Sequence, residues 1–249
     1  IFLIEANSYG VIQIDSIQNL QKIGNDPGYP LDGEYELTQD IDASATRTWN
    51  SGAGFNPIGT EASPFVGTFD GKGYKITGLY INRSSTDNVG LFGYVGKRGD
   101  IWNLTVENAT VKGKGATGII VGQMKTDLDY EAVIVSNCHV INGTVVASGD
   151  RSGLLVGWMW NNRQAVVENC TSSGTITGTG LVGGLVGDCG NGIVRNSWSK
   201  AIVTGTGTEV GGLIGRNAGG AVYNCYSELN KVKGYNQVGG LIGHSYRYE

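Results

Sequence analysis

The feature that most constrains this chain is that it repeats itself. The strings Val89-Gly90-Leu91-Phe92-Gly93, Gly118-Ile119-Ile120-Val121-Gly122, Gly153-Leu154-Leu155-Val156-Gly157, Gly184-Leu185-Val186-Gly187, Gly212-Leu213-Ile214-Gly215 and Gly240-Leu241-Ile242-Gly243 recur along its C-terminal two thirds. Their aligned glycines, Gly90, Gly118, Gly153, Gly184, Gly212 and Gly240, are separated by 28, 35, 31, 28 and 28 residues. The unit is therefore 28 residues long, with two insertions. A period in this range belongs to stacked-repeat architectures, in which each unit buries its apolar face on its neighbours.

Two further signatures keep the same spacing. One is Ile101-Trp102-Asn103-Leu104, Val135-Ser136-Asn137-Cys138, Val167-Glu168-Asn169-Cys170, Val194-Arg195-Asn196-Ser197 and Val222-Tyr223-Asn224-Cys225. The other is an apolar residue, a polar residue and Gly, at Val111-Lys112-Gly113, Ile176-Thr177-Gly178, Val203-Thr204-Gly205 and Val232-Lys233-Gly234. Short runs rich in Val, Ile and Thr, bounded by Gly and Asn, read as strands, and no unit contains a helical stretch. Strands that stack unit on unit run parallel about 4.8 Å apart, and parallel crossovers are right-handed by strong preference. The prediction is an all-β, right-handed parallel β-helix (β-solenoid) of about six coils. Ile101, Val135, Val167, Val194 and Val222 point inward. Leu104, Cys138, Cys170 and Cys225 point inward again after the Asn, so the Asn marks a corner; its side chain tolerates the left-handed backbone that a corner needs.

Residues 1–85 read as an N-terminal cap and first coils, and 86–249 as the repeat solenoid, the two forming one continuous domain. In the cap, Asp15 or Ser16 starts a short helix carrying Ile17, Leu20 and Ile23 that ends at Gly24, with Gln18 in capping-box position. Phe65–Phe69 and Tyr74–Ile76 flank Asp70-Gly71-Lys72-Gly73 and read as a hairpin.

Composition narrows the function classes. Charged residues are 16% of the chain, the net charge is -4 and no basic cluster occurs, which argues against a nucleic-acid partner. Apolar runs are short and broken by Gly, so no membrane span is expected. The start Ile1-Phe2-Leu3-Ile4 lacks the basic residues of a signal peptide, as a processed chain would.

The Gly-Leu-apolar-Gly strings with a following Asn-Cys resemble the GLUG repeat of bacterial surface and secreted proteins. The stretch from Phe55-Asn56-Pro57-Ile58-Gly59 through Gly67–Tyr74 to Gly78-Leu79-Tyr80-Ile81-Asn82 is similar to the segment that precedes such repeats. The resemblance covers residues 11–243 and implies an extracellular or cell-surface β-solenoid. Similar repeats accompany IgA-specific zinc metallopeptidases. That activity does not carry over, because the two histidines, His139 and His244, are not followed by Glu and no His-Glu-x-x-His helix exists.

Stacking turns each repeat position into a ladder, so outward residues can be compared directly. After the last Gly of each string come Tyr94, Gln123, Trp158, Asp188, Arg216 and His244. Trp158 and Trp160 alternate along one strand beside the insertion Lys125–Glu131. With Asn161, Asp127, Asp129 and Tyr130 they make the candidate ligand site: aromatic surface beside carboxylates and amides is what sugars need. The alternative is that the tryptophans cover a seam beneath the insertion. A second ladder, with His139, Trp198 and Tyr226, forms either a flat aromatic platform or cross-strand packing. Asp188 with Arg216, Glu168 with Arg195 and Lys200 with Glu228 read as solvated ion pairs. Cys138 and Cys170 read as stacked buried thiols on adjacent coils, close enough to bond if their side chains turned together.

The reading assigns no catalytic residue, metal ligand or cofactor. It points to an extracellular or cell-surface adhesion module that binds glycan or another surface protein. One competing reading is a polysaccharide lyase or hydrolase, for which Asp127, Asp129, Glu131 and Lys125 are the dense candidates. Another is a structural subunit that self-associates through the solenoid ends into filaments.

Overall fold

The computed structural model describes residues 10–125, 132–160, 164–228 and 231–247. It is a parallel β-solenoid of about seven turns, one more than the repeat count suggests, because the region before the repeats already winds. The first wall has eight strands: Ile12–Ile14, Glu34–Leu37, Thr68–Asp70, Asp100–Trp102, Val133–Ser136, Ala165–Glu168, Ile193–Arg195 and Ala221–Tyr223. The second wall runs from Ile41–Asp42 through Lys75–Thr77, Thr105–Glu107, His139–Ala147, Thr171–Gly178 and Trp198–Gly205 to Tyr226–Ser227. The third contains Phe92–Val95, Val121–Lys125, Val156–Trp160, Val186–Gly190, Ile214–Ala218 and Ile242–Tyr246. A narrow fourth wall has the short strands Arg151–Gly153, Leu181–Gly183, Glu209–Gly211 and Val238–Gly239, preceded by the single bridges Val89–Thr117 and Thr117–Ser152. Every pairing between named strands is parallel and links one turn to the next.

The Asn corner is real and its cause is visible. Asn103, Asn137, Asn169, Asn196 and Asn224 all have φ between 49° and 54°. The short amide side chain accepts that backbone and then bonds along the axis: Asn137 Nδ2 donates to Asn103 Oδ1 at 2.7 Å, and Asn224 Nδ2 to Asn196 Oδ1 at 3.2 Å. The alternation resets across the corner as expected, so that Val135, Val167, Cys138 and Cys170 are all fully buried. The cysteines are free thiols. Cys138 and Cys170 each donate to the carbonyl two residues back, at 3.2 and 3.1 Å, and burial pushes the Cys170 thiol up.

Two expectations for the N-terminal region change. The helix Ile17–Lys22 is capped by Ser16, whose Oγ accepts from the Asn19 amide; Asp15 Oδ1 instead accepts from Ser16 Oγ and Asn19 Nδ2, so Gln18 closes no capping box. Thr68–Asp70 and Lys75–Thr77 do not form a hairpin. They belong to the first and second walls and pair in parallel with the turns on either side. Asp70–Gly73 is an early form of the Asn corner, with Lys72 at φ 53° and Asp70 Oδ1 accepting from Asn103 Nδ2 at 3.0 Å. Aromatic rings fill the first turns, where Phe65 and Phe69 pack on Phe92 at 4.8 and 5.4 Å between centroids.

The glycines of the repeat lock the third and fourth walls together. A Cβ on Gly187 would lie 2.5 Å from both the Gly157 oxygen and the Ser152 nitrogen, and one on Gly215 would lie 2.7 Å from the Val182 nitrogen. Facing them, a Cβ on Gly183 would lie 1.9 Å from the Val186 oxygen and 2.7 Å from the Gly215 nitrogen. The two walls therefore meet backbone to backbone, which only hydrogen side chains allow.

Candidate functional site

The residue that follows the second glycine of each string leaves this locked seam on its outer side. In register along the third wall stand Tyr94, Gln123, Trp158, Asp188, Arg216 and His244. The first residues of the fourth-wall strands, Arg151, Leu181 and Glu209, stand beside them. This neighbour changes the exposure expected of the ladder. Tyr94 and Gln123 are buried, and Asp188 has no exposed surface.

Asp188 is not a solvated partner of Arg216. Arg151 Nε donates to its Oδ2 at 2.9 Å, while Arg216 donates from Nη2 to Oδ2 at 2.6 Å and from Nε to Oδ1 at 3.0 Å. The hydrogen bonds to Asp188 hold the Arg216 guanidinium above its ordinary range, against the opposing effect of its own partial burial. The chain of charges continues to Glu209, whose Oε1 lies 3.2 Å from His244 Nδ1 and whose Oε2 lies 3.9 Å from Arg216 Nε. The other two pairs match expectation more closely. Glu168–Arg195 is partly exposed and Lys200–Glu228 is exposed at 3.0 Å.

Trp158 and Trp160 do share a face, with ring centroids 6.1 Å apart and planes at 58°. The Arg151 guanidinium lies 4.2 Å from the Trp158 ring centroid, a cation–π contact that covers one indole face. The indole Nε1 is enclosed and has no hydrogen-bond acceptor among the described residues. Trp160 packs on Gly190 of the next turn, where a Cβ would strike its ring at 2.2 Å. Asn161, Asp127, Asp129 and Tyr130, with Asn162 and Glu131, lie outside the described residues, as does Ile1–Ile4.

Beside Trp158 a surface depression of about 410 Å³ opens, floored by Gln123 and Ala116. Its rim carries Glu61, Asp87, Lys114, Asp150 and Arg151. Glu61, Asp87, Lys114 and Asp150 come from loops and Arg151 from the start of a fourth-wall strand, so stacking brings together residues far apart in sequence. The repeat strings gave no sign of Glu61, Asp87 or Lys114, although the Arg151-Ser152-Gly153, Leu181-Val182-Gly183 and Glu209-Val210-Gly211 pattern before each string was readable as a fourth strand.

The second aromatic ladder has the expected register: Thr105, His139, Thr171, Trp198 and Tyr226 pair in order. Trp198 and Tyr226 stack at 5.7 Å with planes 9° apart. Parallel rings at that spacing on adjacent strands face each other along the axis, so they do not make a flat platform with outward faces. His139 is separated from them by Thr171, and its Nδ1 lies 2.9 Å from Thr171 Oγ1. Burial lowers its pKa. Among the described residues no group of three His, Cys, Asp or Glu side chains is placed to hold a metal ion, and no helix is long and apolar enough to cross a membrane.

Comparison with known proteins agrees with this architecture. The model of the GLUG motif matches residues 148–177 and 206–232, which include Trp158, Asp150 and the Glu209–Arg216 strip. Halomucin of Haloquadratum walsbyi is 37% identical over 197 residues, 77% of this chain and 2% of halomucin. A protein of Evansella cellulosilytica, provisionally named a Gly-rich membrane protein, is 33% identical over 156 residues, 61% of this chain and 17% of that protein. The chain thus spans a small part of either relative. The crystal structure of a Bacteroides ovatus protein, provisionally described as an immunoglobulin A1 protease, superposes with a TM-score of 0.63 at 19% identity, over 92% of this chain and 84% of that one. At that identity the likeness is one of fold. The strings Gly153–Gly157 and Gly212–Gly215 lie within the two GLUG motif matches, and the chain that carries them winds into a parallel β-solenoid.

Proposed function

We propose that this chain is a binding module of a cell-surface or secreted protein and that it holds a glycan at the Trp158 depression. The observation that carries the reading is the depression itself. An aromatic edge, a buried amide and a rim of carboxylates and cations converge on about 410 Å³. Sugars are recognised by this combination, in which C–H surfaces meet an aromatic ring and hydroxyls bridge planar donors and acceptors. Because Arg151 covers one indole face, the ligand meets the uncovered part of the ring and gains most of its hold from polar contacts. The names of the relatives support a surface location: one is a halomucin and one is named for a membrane.

The test is a glycan array followed by titration calorimetry on any hit, with far-UV circular dichroism to confirm folding. Trp158→Ala should abolish binding. Asp87→Ala changes an exposed rim carboxylate and should weaken binding with the melting temperature unchanged. Binding that survives both substitutions in folded protein, or no binding on the array, refutes the reading.

A further inference from the structure

The rim of the Trp158 depression also carries a charge balance that selects among sugars. Three carboxylates, Glu61, Asp87 and Asp150, face two cations, Lys114 and Arg151. Both cations are already engaged. Lys114 Nζ lies 3.6 Å from Asp87 Oδ2. Arg151 is drawn to the fully buried Asp188, with Nε at 2.9 Å, and reaches Asp150 only at 4.0 Å from Nη1. Among the described residues Glu61 has no cationic partner. Asp150 is open, with 81% of its side chain exposed against 58% for Asp87, 55% for Lys114 and 28% for Arg151.

Carboxylates therefore outnumber cations at the mouth, and Arg151 cannot turn to a new anion without loosening its hold on Asp188. Releasing Arg151 would leave Asp188, buried, with Arg216 as its remaining partner, a costly step in a place that water does not reach. A ligand carboxylate or sulfate would meet Asp150 and Glu61 at close range, and like charges so placed are rejected. A ligand ammonium would instead complete the rim, donating to carboxylates that have acceptor capacity to spare.

We infer that the depression takes amino sugars or neutral sugars in preference to uronic or sulfated ones, an inference that rests on the glycan reading above. The probes are tetramers that share one β-1,4-linked backbone and differ in charge: glucosamine, glucose and glucuronate. The glucosamine tetramer should bind about fivefold tighter than the glucose tetramer, the gain expected of one exposed ion pair, and the glucuronate tetramer should bind weakest. The preference should shrink as salt rises from about 0.01 M to about 1 M, over which the screening length falls from about 30 Å to about 3 Å. Asp150→Asn should remove most of the glucosamine preference, read as the ratio of the affinities for the glucosamine and glucose tetramers. Tightest binding of glucuronate, lost in Trp158→Ala, would overturn the charge assignment and leave the glycan site standing. No binding of any tetramer would overturn the assignment too, with the array deciding whether another glycan occupies the site.

Discussion

The interlock of the third and fourth walls predicts what happens when one repeat glycine gains a methyl group. In Gly187→Ala the new Cβ would sit 2.5 Å from the Gly157 oxygen, 2.5 Å from the Ser152 nitrogen and 2.7 Å from the Ser152 carbonyl carbon. All three are backbone atoms of the preceding turn, and that backbone is tied in turn, with Gly153 N donating to Thr117 O at 3.1 Å. No rotamer change relieves the contacts, so the turns themselves must part by most of an ångström. Overpacking costs roughly 1–3 kcal/mol where side chains can shift. Three simultaneous backbone contacts place this case at the upper end, about 3 kcal/mol. For a chain of this size that lowers the melting temperature by roughly 6–12 °C. Gly187 does not have positive φ, so the effect isolates space from backbone strain. Two other glycines provide the scale. Gly73→Ala meets nothing within 4 Å but has φ +81°, which costs about 1–2 kcal/mol. Gly10→Ala meets nothing within 4 Å, so it should stay within about 0.5 kcal/mol of the parent. Thermal melts followed by circular dichroism rank the three. If Gly187→Ala melts with Gly10→Ala, the walls are not in backbone contact and the explanation of the motif fails.

Three further outcomes follow from the same geometry. Asp188→Asn leaves Arg151 and Arg216 facing each other across an uncharged amide and should destabilise by about 3–5 kcal/mol, measured by urea unfolding; an unchanged midpoint would mean the carboxylate is not clamped. His139 has a depressed pKa from burial, so the folded state favours its neutral form. Its contribution is fully present above the unfolded value of about 6.5 and is lost as pH falls through that value towards the lower folded pKa. His139→Thr, which continues the threonines at 105 and 171, should therefore show a smaller loss of stability between about pH 7.5 and about pH 5 than the parent; equal losses would refute the assignment. In the folded protein a thiol reagent should label Cys225, which is half-buried, well before Cys138, Cys170 and Cys189, which are buried, with burial pushing Cys189 up to about 12. Labelling of all four at one rate would contradict the packing.

The solenoid was readable in the sequence because the residues that specify it act locally and repeat. An Asn at each corner, a Val or Ile two residues before it and a Leu, Cys or Ser after it state the same turn five times. What could not be read depended on partners rather than on local chemistry. Asp70–Gly73 suits a hairpin and a corner equally well, and only the neighbouring turns at Glu34–Leu37 and Thr105–Glu107 decide between them. Asp188 looked solvated because its cover, Arg151, comes from a strand one turn earlier. The depression needed Glu61, Asp87 and Lys114, which belong to no repeated string. The glycines connect these cases. Their missing side chains let two walls close to contact, so the position after the second glycine stands in the shelter of the fourth wall while remaining free of the core. That position holds Tyr94, Gln123, Trp158, Asp188, Arg216 and His244, six different residues in six turns, whereas the positions two and three before it hold only Val, Ile, Leu and Phe. A fold that constrains its seam and leaves the next residue unconstrained has a place in every turn for chemistry to differ. The Trp158 depression is where this protein combines that freedom with loops from neighbouring turns.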